Sequence, residues 1–357
     1  MNNPNPAPAT APYRLLGGPG SPYSLKMRAL LRYRRLPHRW IVPRSYLGAG
    51  GELERAAKGQ IPVMHYPDGN YWSDSTPLIL DLEARHPGER SVFPDDPGAA
   101  FLASLIEDLG DEMLVLAMFD LRWGTPADQA FCARRQLSGW LSPIGREELE
   151  AQIARFTKRQ TRQRAFLVDA DSHITLMAHY HAVLDALEAM QEHSLYLFGS
   201  RPSAADFGLY GQLSQCCIDP SASLIMRARA PRTYQWVQSL DDAGGVDGAW
   251  APRAQWEPLV RPLLELCGKH HLPLLRAHYE GIERGAKEFE TVIDGRPWRG
   301  RPHAYKHHCL VWLRRAWQAL PPGPRAEIEG LLRDTGCLPI LEDRTPPTVA
   351  VAALAPQ

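Results

Sequence analysis

The chain begins with short apolar segments separated by turn residues, which is a pattern typical of a small sheet covered by helices. Residues 13–16 form an apolar segment, residues 17–22 are Gly, Pro and Ser, and residues 25–32 carry an amphipathic helical stripe. Residues 39–42 then predict a second strand. Strand, helix and strand in this order predict a βαβ unit.

The next residues predict an antiparallel hairpin and a second helix. Residues 61–66 and 71–72 are strand-like, and residues 67–70 between them contain the Asp-Gly pair that suits a tight turn. Residues 73–75 then offer helix-cap residues ahead of an apolar helical face. A first domain over residues 13–90 is therefore expected to have the order βαβ and then ββα.

Helical periodicity dominates the rest of the chain. It is seen in segments such as 101–119 and 175–193, so residues 99–240 predict an all-helical domain. A break rich in Asp and Gly at 241–248 precedes a third segment. That segment, residues 250–341, also predicts helices.

Ser203 and Asp206 have the N-cap and N3 spacing of a helix capping box, with Asp in place of the usual Glu or Gln. They stand directly before an apolar helical segment. We interpret the pair as a structural capping box and not as a catalytic pair.

Length and composition favour at least two globular domains and exclude several classes of protein. The chain has 357 residues, and 40 basic residues balance 40 acidic ones, so no overall charge would attract nucleic acid or an anionic membrane. Six dispersed cysteines without CxxC pairs favour a reducing compartment over a disulfide scaffold. Residues 1–12 lack the apolar core of a secretory signal, and the longest apolar run, near 113–119, is too short to span a membrane. We therefore expect a cytoplasmic protein with a disordered leader at 1–12 and a loose tail at 342–357.

Histidine pairs at 270–271 and 307–308 raise the question of a metal site. Adjacent residues on a helix point about 100° apart, so neither pair can chelate a metal from one face. No metal is therefore expected, and His179 is interpreted as a solvated or core residue.

Four motifs in order resemble the glutathione S-transferase superfamily. Residues 21–24, Ser-Pro-Tyr-Ser, are similar to the Ser-Pro-Phe sequence of serine-type members, and residues 61–63, Ile-Pro-Val, to the strand with the family's cis-proline. Residues 74–78, Asp-Ser-Thr-Pro-Leu, are similar to the family's Glu-Ser-x-Ala-Ile helix start, with Asp for Glu and Pro for Ala. Ser203 and Asp206 are similar to the capping box of the family's helical domain. Over residues 13–240 the resemblance implies an α/β thioredoxin-like N-terminal domain followed by an all-α domain, here with an additional helical C-terminal extension.

The resemblance also implies a binding site for glutathione, used as a co-substrate. The helix start at Asp74 and Ser75 would bind the γ-glutamyl carboxylate through backbone N–H groups and the Ser75 hydroxyl, and Asp74 would meet the amino group. The backbone beside Pro62 would pair with the cysteinyl part of the tripeptide. The implied glutathione-binding residues are Tyr23, Gln60, Ile61, Pro62, Asp74 and Ser75, with Lys58 as an alternative to Gln60 for the glycine carboxylate.

Ser21 is the catalytic residue that the resemblance implies. Standing at a helix N-terminus, it would donate a hydrogen bond to the glutathione sulfur, and the helix end would favour the thiolate over the thiol. Attack of that thiolate on a small hydrophobic electrophile needs neither an acylating triad nor a metal. Because Ser21 cannot form a mixed disulfide, thiol-disulfide exchange is disfavoured, and conjugation, isomerisation and reductive cleavage stay open.

Simpler interpretations exist for the same residues. Without the family, Ser21, Asp74 and Ser75 are ordinary helix caps. The fold is also compatible with a non-catalytic binding or scaffold protein, or with a glutathione-dependent isomerase or lyase of a specific pathway. Residues 250–341 lie beyond the usual end of the family, and they would cap the substrate site or cover the family's dimerisation surface. A homodimer is therefore in doubt.

Overall fold

The computed structural model describes residues 11–43, 52–56, 60–88 and 90–343. The predicted leader up to residue 10, Lys58 and the predicted tail from residue 344 lie outside the described residues. The described chain forms a small sheet with helices, a helical domain, and a C-terminal extension that packs against both.

The N-terminal domain contains a four-stranded mixed sheet. Its elements are β1 (Tyr13–Leu16), α1 (Pro22–Tyr33), β2 (His38–Ile41), a 3₁₀ turn (Glu52–Arg55), β3 (Val63–His65), β4 (Tyr71–Ser73) and α2 (Ser75–Arg85). The strand order is β2-β1-β3-β4, with β1 parallel to β2 and antiparallel to β3, and β3 antiparallel to β4. This arrangement confirms the predicted βαβ and ββα order and the thioredoxin-like fold class.

The second domain is all-helical, as its periodicity predicts. Its elements are α3 (Pro97–Leu109), a π-helical turn (Gly110–Leu114), α4 (Val115–Gly124), α5 (Pro126–Trp140), α6 (Arg146–Leu167), α7 (Ala170–Met190), α8 (Ala204–Cys216), α9 (Pro220–Arg229) and α10 (Pro231–Leu240). None of the helices within the described ranges is long and apolar enough to cross a membrane.

Helix α8 begins at the capping box. The backbone N–H and the hydroxyl of Ser203 donate to Asp206 Oδ2 at 2.8 and 2.6 Å, and the other carboxylate oxygen of Asp206 accepts from the Leu197 N–H at 3.1 Å. Asp206 is fully buried, and burial raises the pKa of its carboxyl to about 6. The pair ties the start of α8 to the preceding loop, which is a structural role.

The C-terminal extension is helical except for one hairpin. Its elements are α11 (Arg253–Leu266), a π-helical turn (Cys267–His271), α12 (Leu272–Glu283), β5 (Phe289–Ile293), β6 (Arg296–Gly300), α13 (Ala304–Ala319), α14 (Pro322–Asp334) and α15 (Leu338–Glu342). The expectation of helix throughout is wrong for the hairpin. Its turn is formed by Asp294 and Gly295, which have φ of 49° and 76°, the conformation that an Asp-Gly turn favours.

The extension shares one hydrophobic core with the other two parts of the chain. Leu30 of α1, Ile106 of α3 and Leu264 of α11 are fully buried in the same cluster. Helix α11 contacts α7, and α13 and α14 contact α3. Each large apolar side chain that is fully buried stabilises the fold by about 1.5–3 kcal/mol. The extension is therefore an integral part of the fold.

Two buried histidines lie in the contact between α7 and the π-helical turn before α12. Nδ1 of His179 and Nδ1 of His270 are 3.0 Å apart, so one ring donates a hydrogen bond to the other when both are neutral. Burial lowers the pKa of both rings; His270 and His271 lower that of His179 further, whereas Asp294 opposes the shift of His270. His179 thus has a core role.

We expect these histidines to make the fold sensitive to acid. A histidine with a depressed pKa in the folded state binds its proton only on unfolding, so stability present above pH 6.5 is lost as the pH falls. Between pH 7 and pH 5.5 the loss should be about 1 kcal/mol per histidine. Urea unfolding at both pH values should show a smaller loss for His179→Gln than for the wild type, while the exposed His193→Gln should follow the wild type. Equal losses in all three would contradict this assignment.

Candidate functional site

The three sequence motifs of the N-terminal domain meet at one end of the sheet. Leu16, the last residue of β1, lies opposite Val63, the first residue of β3, and Val63 lies opposite Ser73, the last residue of β4. The loop that leads to Ser21, the Ile61-Pro62 segment and the start of α2 therefore all leave the sheet at the same edge. This juxtaposition follows from the strand order.

Ser21 is the N-cap of α1. Its side-chain oxygen accepts a hydrogen bond from the backbone N–H of Ser24 at 3.3 Å, and the side chain is half-buried. A serine hydroxyl accepts and donates at the same time, so capping leaves its proton available to a ligand. The capping and the catalytic interpretation of Ser21 are thus compatible.

The loop before Ser21 is held by side chains of the helical domain. The Pro19 carbonyl accepts from the Arg135 guanidinium at 3.0 Å and from Gln215 Nε2 at 3.2 Å. The Gly20 carbonyl accepts from Arg122 Nη1 at 3.0 Å. The Asp219 carboxylate in turn accepts a hydrogen bond from Arg122 Nε at 2.6 Å, and both side chains are buried. Four fixed side chains on α4, α5, α8 and the start of α9 thus set the position of the loop.

A second segment of the site, Gln60 to Pro62, leads directly into β3. The Ile61–Pro62 peptide bond is cis, as the resemblance implies. Pro62 is buried, Ile61 is half-buried and Gln60 is exposed. Exposure of Gln60 leaves its amide accessible at the edge of the site, and its role in ligand binding stays a prediction.

Asp74 has an unusual backbone at the start of α2. Its φ of 86° and ψ of 118° place it in a region that L-residues rarely adopt, and its side chain does not cap the helix. Such a conformation costs about 1–3 kcal/mol and persists where its surroundings enforce it. The Asp74 carboxylate instead accepts a hydrogen bond from the Tyr305 hydroxyl at 2.9 Å. A residue of the extension therefore reaches the predicted glutathione site.

Ser75 lies above a buried ionic cluster that the sequence analysis missed. Its hydroxyl donates to Asp111 Oδ2 at 3.3 Å and accepts from Lys26 Nζ at 3.4 Å. Lys26 also donates to Asp111 Oδ2 at 2.6 Å and to Glu107 Oε1, and the Thr76 hydroxyl donates to the same Glu107 oxygen at 2.8 Å. The cluster joins α1, α2 and α3 beneath the start of α2.

Burial and charge oppose each other within this cluster. Lys26 is fully buried; burial alone would lower its pKa, but Asp111 and Glu107 together raise it above its ordinary value. Burial raises the pKa of the Asp111 carboxyl, and Lys26 opposes that rise. Lys26 therefore carries a positive charge at every physiological pH.

Tyr23 faces the same region from α1. Its hydroxyl donates to the backbone carbonyl of Asp111 at 2.8 Å, and burial raises its pKa well above the ordinary value. The ring is half-buried. The hydroxyl thus supports the turn after α3, and contact of Tyr23 with glutathione stays a prediction.

Apolar side chains of both domains meet beside the Ser21 loop. Trp140 of α5 lies against Gly18, where a β-carbon would collide with its indole ring. Val42 and Ile61 of the sheet domain pack on the same cluster as Trp140, together with half-exposed Phe119. The site therefore combines a polar helix start with an apolar wall.

The sequence held weak signals for the residues that were missed. Glu107 and Asp111 are acidic residues at i and i+4 within a strongly apolar segment, and Lys26 interrupts the apolar stripe of α1. Tyr305 had no signal in the sequence. Among the described residues, no group of three or more His, Cys, Asp or Glu side chains could hold a metal ion.

The solved structures to which the chain is similar include several transferases. A glutathione S-transferase from Methylobacterium radiotolerans, in complex with glutathione sulfonate, is 20% identical and covers 68% of this chain and 97% of its own, with a TM-score of 0.41. The β-etherase LigF from Sphingobium sp. strain SYK-6 is 18% identical and covers 65% and 95%, with a TM-score of 0.46. No curated protein sequence matches the chain.

Two family profiles match the chain in the order of its domains. Residues 20–85 match the glutathione S-transferase N-terminal domain, and residues 143–239 match the glutathione S-transferase C-terminal domain. The first match spans α1 to α2, with all three sheet-edge motifs, and the second contains the capping box. Residues 20–85 and 143–239 therefore carry the two domains of the glutathione S-transferase superfamily, in that superfamily's order.

Proposed function

We propose that this protein is a glutathione transferase-like enzyme that activates the thiol of glutathione for attack on a small hydrophobic electrophile. The observation that carries the proposal is the convergence of the Ser21 loop, the Ile61-Pro62 segment and the start of α2 at one sheet edge. Each of these segments offers a group that one part of the tripeptide requires: a hydroxyl, the backbone beside Pro62 at the start of a strand, and a helix N-terminus.

In this proposal the γ-glutamyl end lies at the start of α2 and the sulfur lies beside Ser21. The Ser21 hydroxyl and the N-terminus of α1 stabilise the thiolate, because both favour negative charge. The backbone beside Pro62 aligns the cysteinyl part, and Gln60 contacts the glycine carboxylate.

The second substrate binds between the two domains. Ile61 and Phe119, which are half-buried and pack on the cluster that contains Trp140, supply apolar contacts for a hydrophobic electrophile next to the sulfur. Apolar surface buried there contributes about 25 cal/mol per Å² to binding. We assign no specific compound to this wall.

Replacing Asp74 with asparagine should weaken glutathione binding about ten- to hundredfold, since a hydrogen bond to a charged group contributes about 1.5–3 kcal/mol. Asparagine tolerates positive φ, so the backbone at the start of α2 should be kept. Titration calorimetry with reduced glutathione measures the change. Asp68→Asn is the matched control, because it removes the same charge in the turn at the opposite end of β3 and β4.

A scaffold without glutathione chemistry is the second candidate, and one observation favours it. The Asp74 carboxylate and the Ser75 hydroxyl already have partners within the chain, Tyr305 and Asp111. Absence of binding at millimolar glutathione would reject the transferase and support the scaffold. Saturable binding that is weakened in Asp74→Asn but not in Asp68→Asn would support the transferase.

A further inference from the structure

Two arginines share a single carboxylate on the side of the helical domain that faces the Ser21 loop. Arg122 Nε donates to Asp219 Oδ2 at 2.6 Å, and Arg135 Nη1 lies 3.4 Å from Asp219 Oδ1. Gln215 Oε1 accepts a hydrogen bond from each guanidinium, at 2.7 and 3.0 Å. We call Arg122, Arg135 and Asp219 the arginine cluster. Two cations and one anion leave this cluster with a net positive charge.

The charges of the arginine cluster are withdrawn from solvent. The exposed fraction of the side chain is 5% for Arg122, 1% for Asp219 and 16% for Arg135. Burial lowers the pKa of Arg135 and Asp219 opposes that shift, but an arginine keeps its charge at every physiological pH. Salt screens buried charges much less than exposed ones. The positive charge therefore acts on the groups that lie beside the cluster.

Other ionisable groups nearby leave this charge in place. In the part of the chain that the structure describes, Asp219 is the only carboxylate that forms an ion pair with either arginine of the cluster. Asp128 lies about 10 Å along α5 from the cluster and accepts hydrogen bonds from the start of α9. Asp120 of α4 pairs with Arg164 at 2.7 Å. Burial raises the pKa of the Cys132 thiol, so that thiol is neutral at physiological pH.

The arginine cluster is in direct contact with the loop that presents Ser21. Arg135 Nη2 donates to the Pro19 carbonyl and Arg122 Nη1 to the Gly20 carbonyl, both at 3.0 Å. These carbonyls belong to the two residues that precede Ser21. A sulfur held by the Ser21 hydroxyl would therefore lie near a buried positive charge. Such a charge favours a thiolate over a thiol.

We propose that the arginine cluster stabilises the thiolate of glutathione bound beside Ser21, with Arg122 and Arg135 as positioning residues that hold the loop and supply the positive charge. The inference rests on the proposed function. When the thiol ionises, its proton passes to solvent and the negative sulfur stays behind, attracted by the net charge of the cluster. The N-terminus of α1 acts on the same sulfur in the same direction.

This role predicts opposite effects in two variants. Arg135→Gln removes a positive charge and should raise the pKa of the bound thiol by about 1, the shift that Coulomb's law gives for one charge about 10 Å away at an effective dielectric constant of about 20. Asp219→Asn removes the negative charge and should lower the same pKa. Arg135→Lys keeps the charge and should stay close to the wild type.

The experiment is a pH titration of the ultraviolet absorbance of glutathione thiolate bound to the full chain, in the wild type, these three variants and Arg134→Gln. Arg134 is the matched control, because it is an exposed arginine of the same helix that pairs with Glu150 at the surface. Thermal unfolding shows which variants are folded. Arg135→Gln leaves Asp219 paired with Arg122, so no buried carboxylate loses its last cation. If Asp219→Asn does not fold, the comparison of Gln with Lys at position 135 decides.

The outcomes separate the inference from the function on which it rests. A higher thiol pKa in Arg135→Gln and a lower one in Asp219→Asn, with Arg135→Lys and Arg134→Gln unchanged, support the inference. A higher pKa in both Arg135→Gln and Asp219→Asn, or an equal rise with Gln and Lys at position 135, would overturn it, because the cluster would then only position the loop. Saturable binding with an unchanged thiol pKa in Arg135→Gln rejects the inference alone. If calorimetry shows that the wild type does not bind glutathione, the proposed function fails and the inference fails with it.

Discussion

Replacing Lys26 with methionine is expected to lower the free energy of unfolding by about 3–5 kcal/mol, the cost of removing one partner from a buried ion pair. Lys26 is fully buried and donates to both Glu107 and Asp111. Methionine fills a similar volume but leaves two buried carboxylates facing each other without a cation. Equilibrium unfolding in urea measures the loss.

The pH dependence of this variant identifies the cause. Without Lys26, burial and mutual repulsion raise the carboxyl pKa values of the folded state, so the folded variant binds protons that the unfolded chain does not. The loss of stability relative to the wild type should therefore be smaller at pH 5 than at pH 8, because stability from a raised carboxyl pKa is present at low pH and is lost as the pH rises. Adding Glu107→Gln and Asp111→Asn should restore part of the loss.

The matched control is Lys158→Met, which removes an exposed lysine from α6. It should change the free energy of unfolding by less than about 0.5 kcal/mol, as surface substitutions usually do. A loss below 1 kcal/mol in Lys26→Met would show that the cluster contributes little beyond its packing.

Replacing Ser21 with alanine is expected to lower kcat/KM for glutathione conjugation about a hundredfold, similar to the removal of one donor from an oxyanion hole. The affinity for glutathione should change little, because the γ-glutamyl end and the backbone pairing are kept. The ultraviolet absorbance of bound thiolate reports the effect directly: the pKa of the bound thiol should rise in Ser21→Ala.

Capping has to be separated from chemistry at this position. Alanine also removes the N-cap of α1, which costs about 0.5–2 kcal/mol of stability. Ser21→Thr keeps both the cap and the hydroxyl, so it should recover stability and most of the activity. Ser24→Ala removes a neighbouring buried hydroxyl for which no hydrogen-bond partner is found among the described residues, and it should leave the thiol pKa unchanged. Full activity in Ser21→Ala would remove Ser21 from the mechanism.

Local patterns in the sequence were enough to predict the N-terminal domain. Residues 13–16 form the strand that their apolar pattern predicts. The Asp-Gly pair at 68–69 predicts the hairpin that β3 and β4 form. An Asp-Gly pair also stands at Asp294-Gly295, where it forms the turn between β5 and β6 inside a segment whose periodicity predicts helices. Both are short-range features, and both were readable in principle.

Long-range contacts in the site could not be predicted. Lys26 and Asp111 are 85 residues apart, and Asp74 and Tyr305 are 231 residues apart. No spacing rule connects such pairs, since their distance depends on how whole helices pack. The sequence therefore predicts the motifs at the sheet edge. The packing of α3 and α13 determines which side chains of these motifs form hydrogen bonds within the chain.

The hydrogen bonds to Pro19 and Gly20 limit how this protein can be divided or recombined. The loop that presents Ser21 is encoded in the first domain, but its carbonyls are held by Arg122, Arg135 and Gln215 of the second. A chimera that joins residues 11–90 to a foreign helical domain would contain Ser21 but would lack the side chains that donate to the Pro19 and Gly20 carbonyls. Transplanting those three side chains with Asp219 is the minimum change that such an exchange requires.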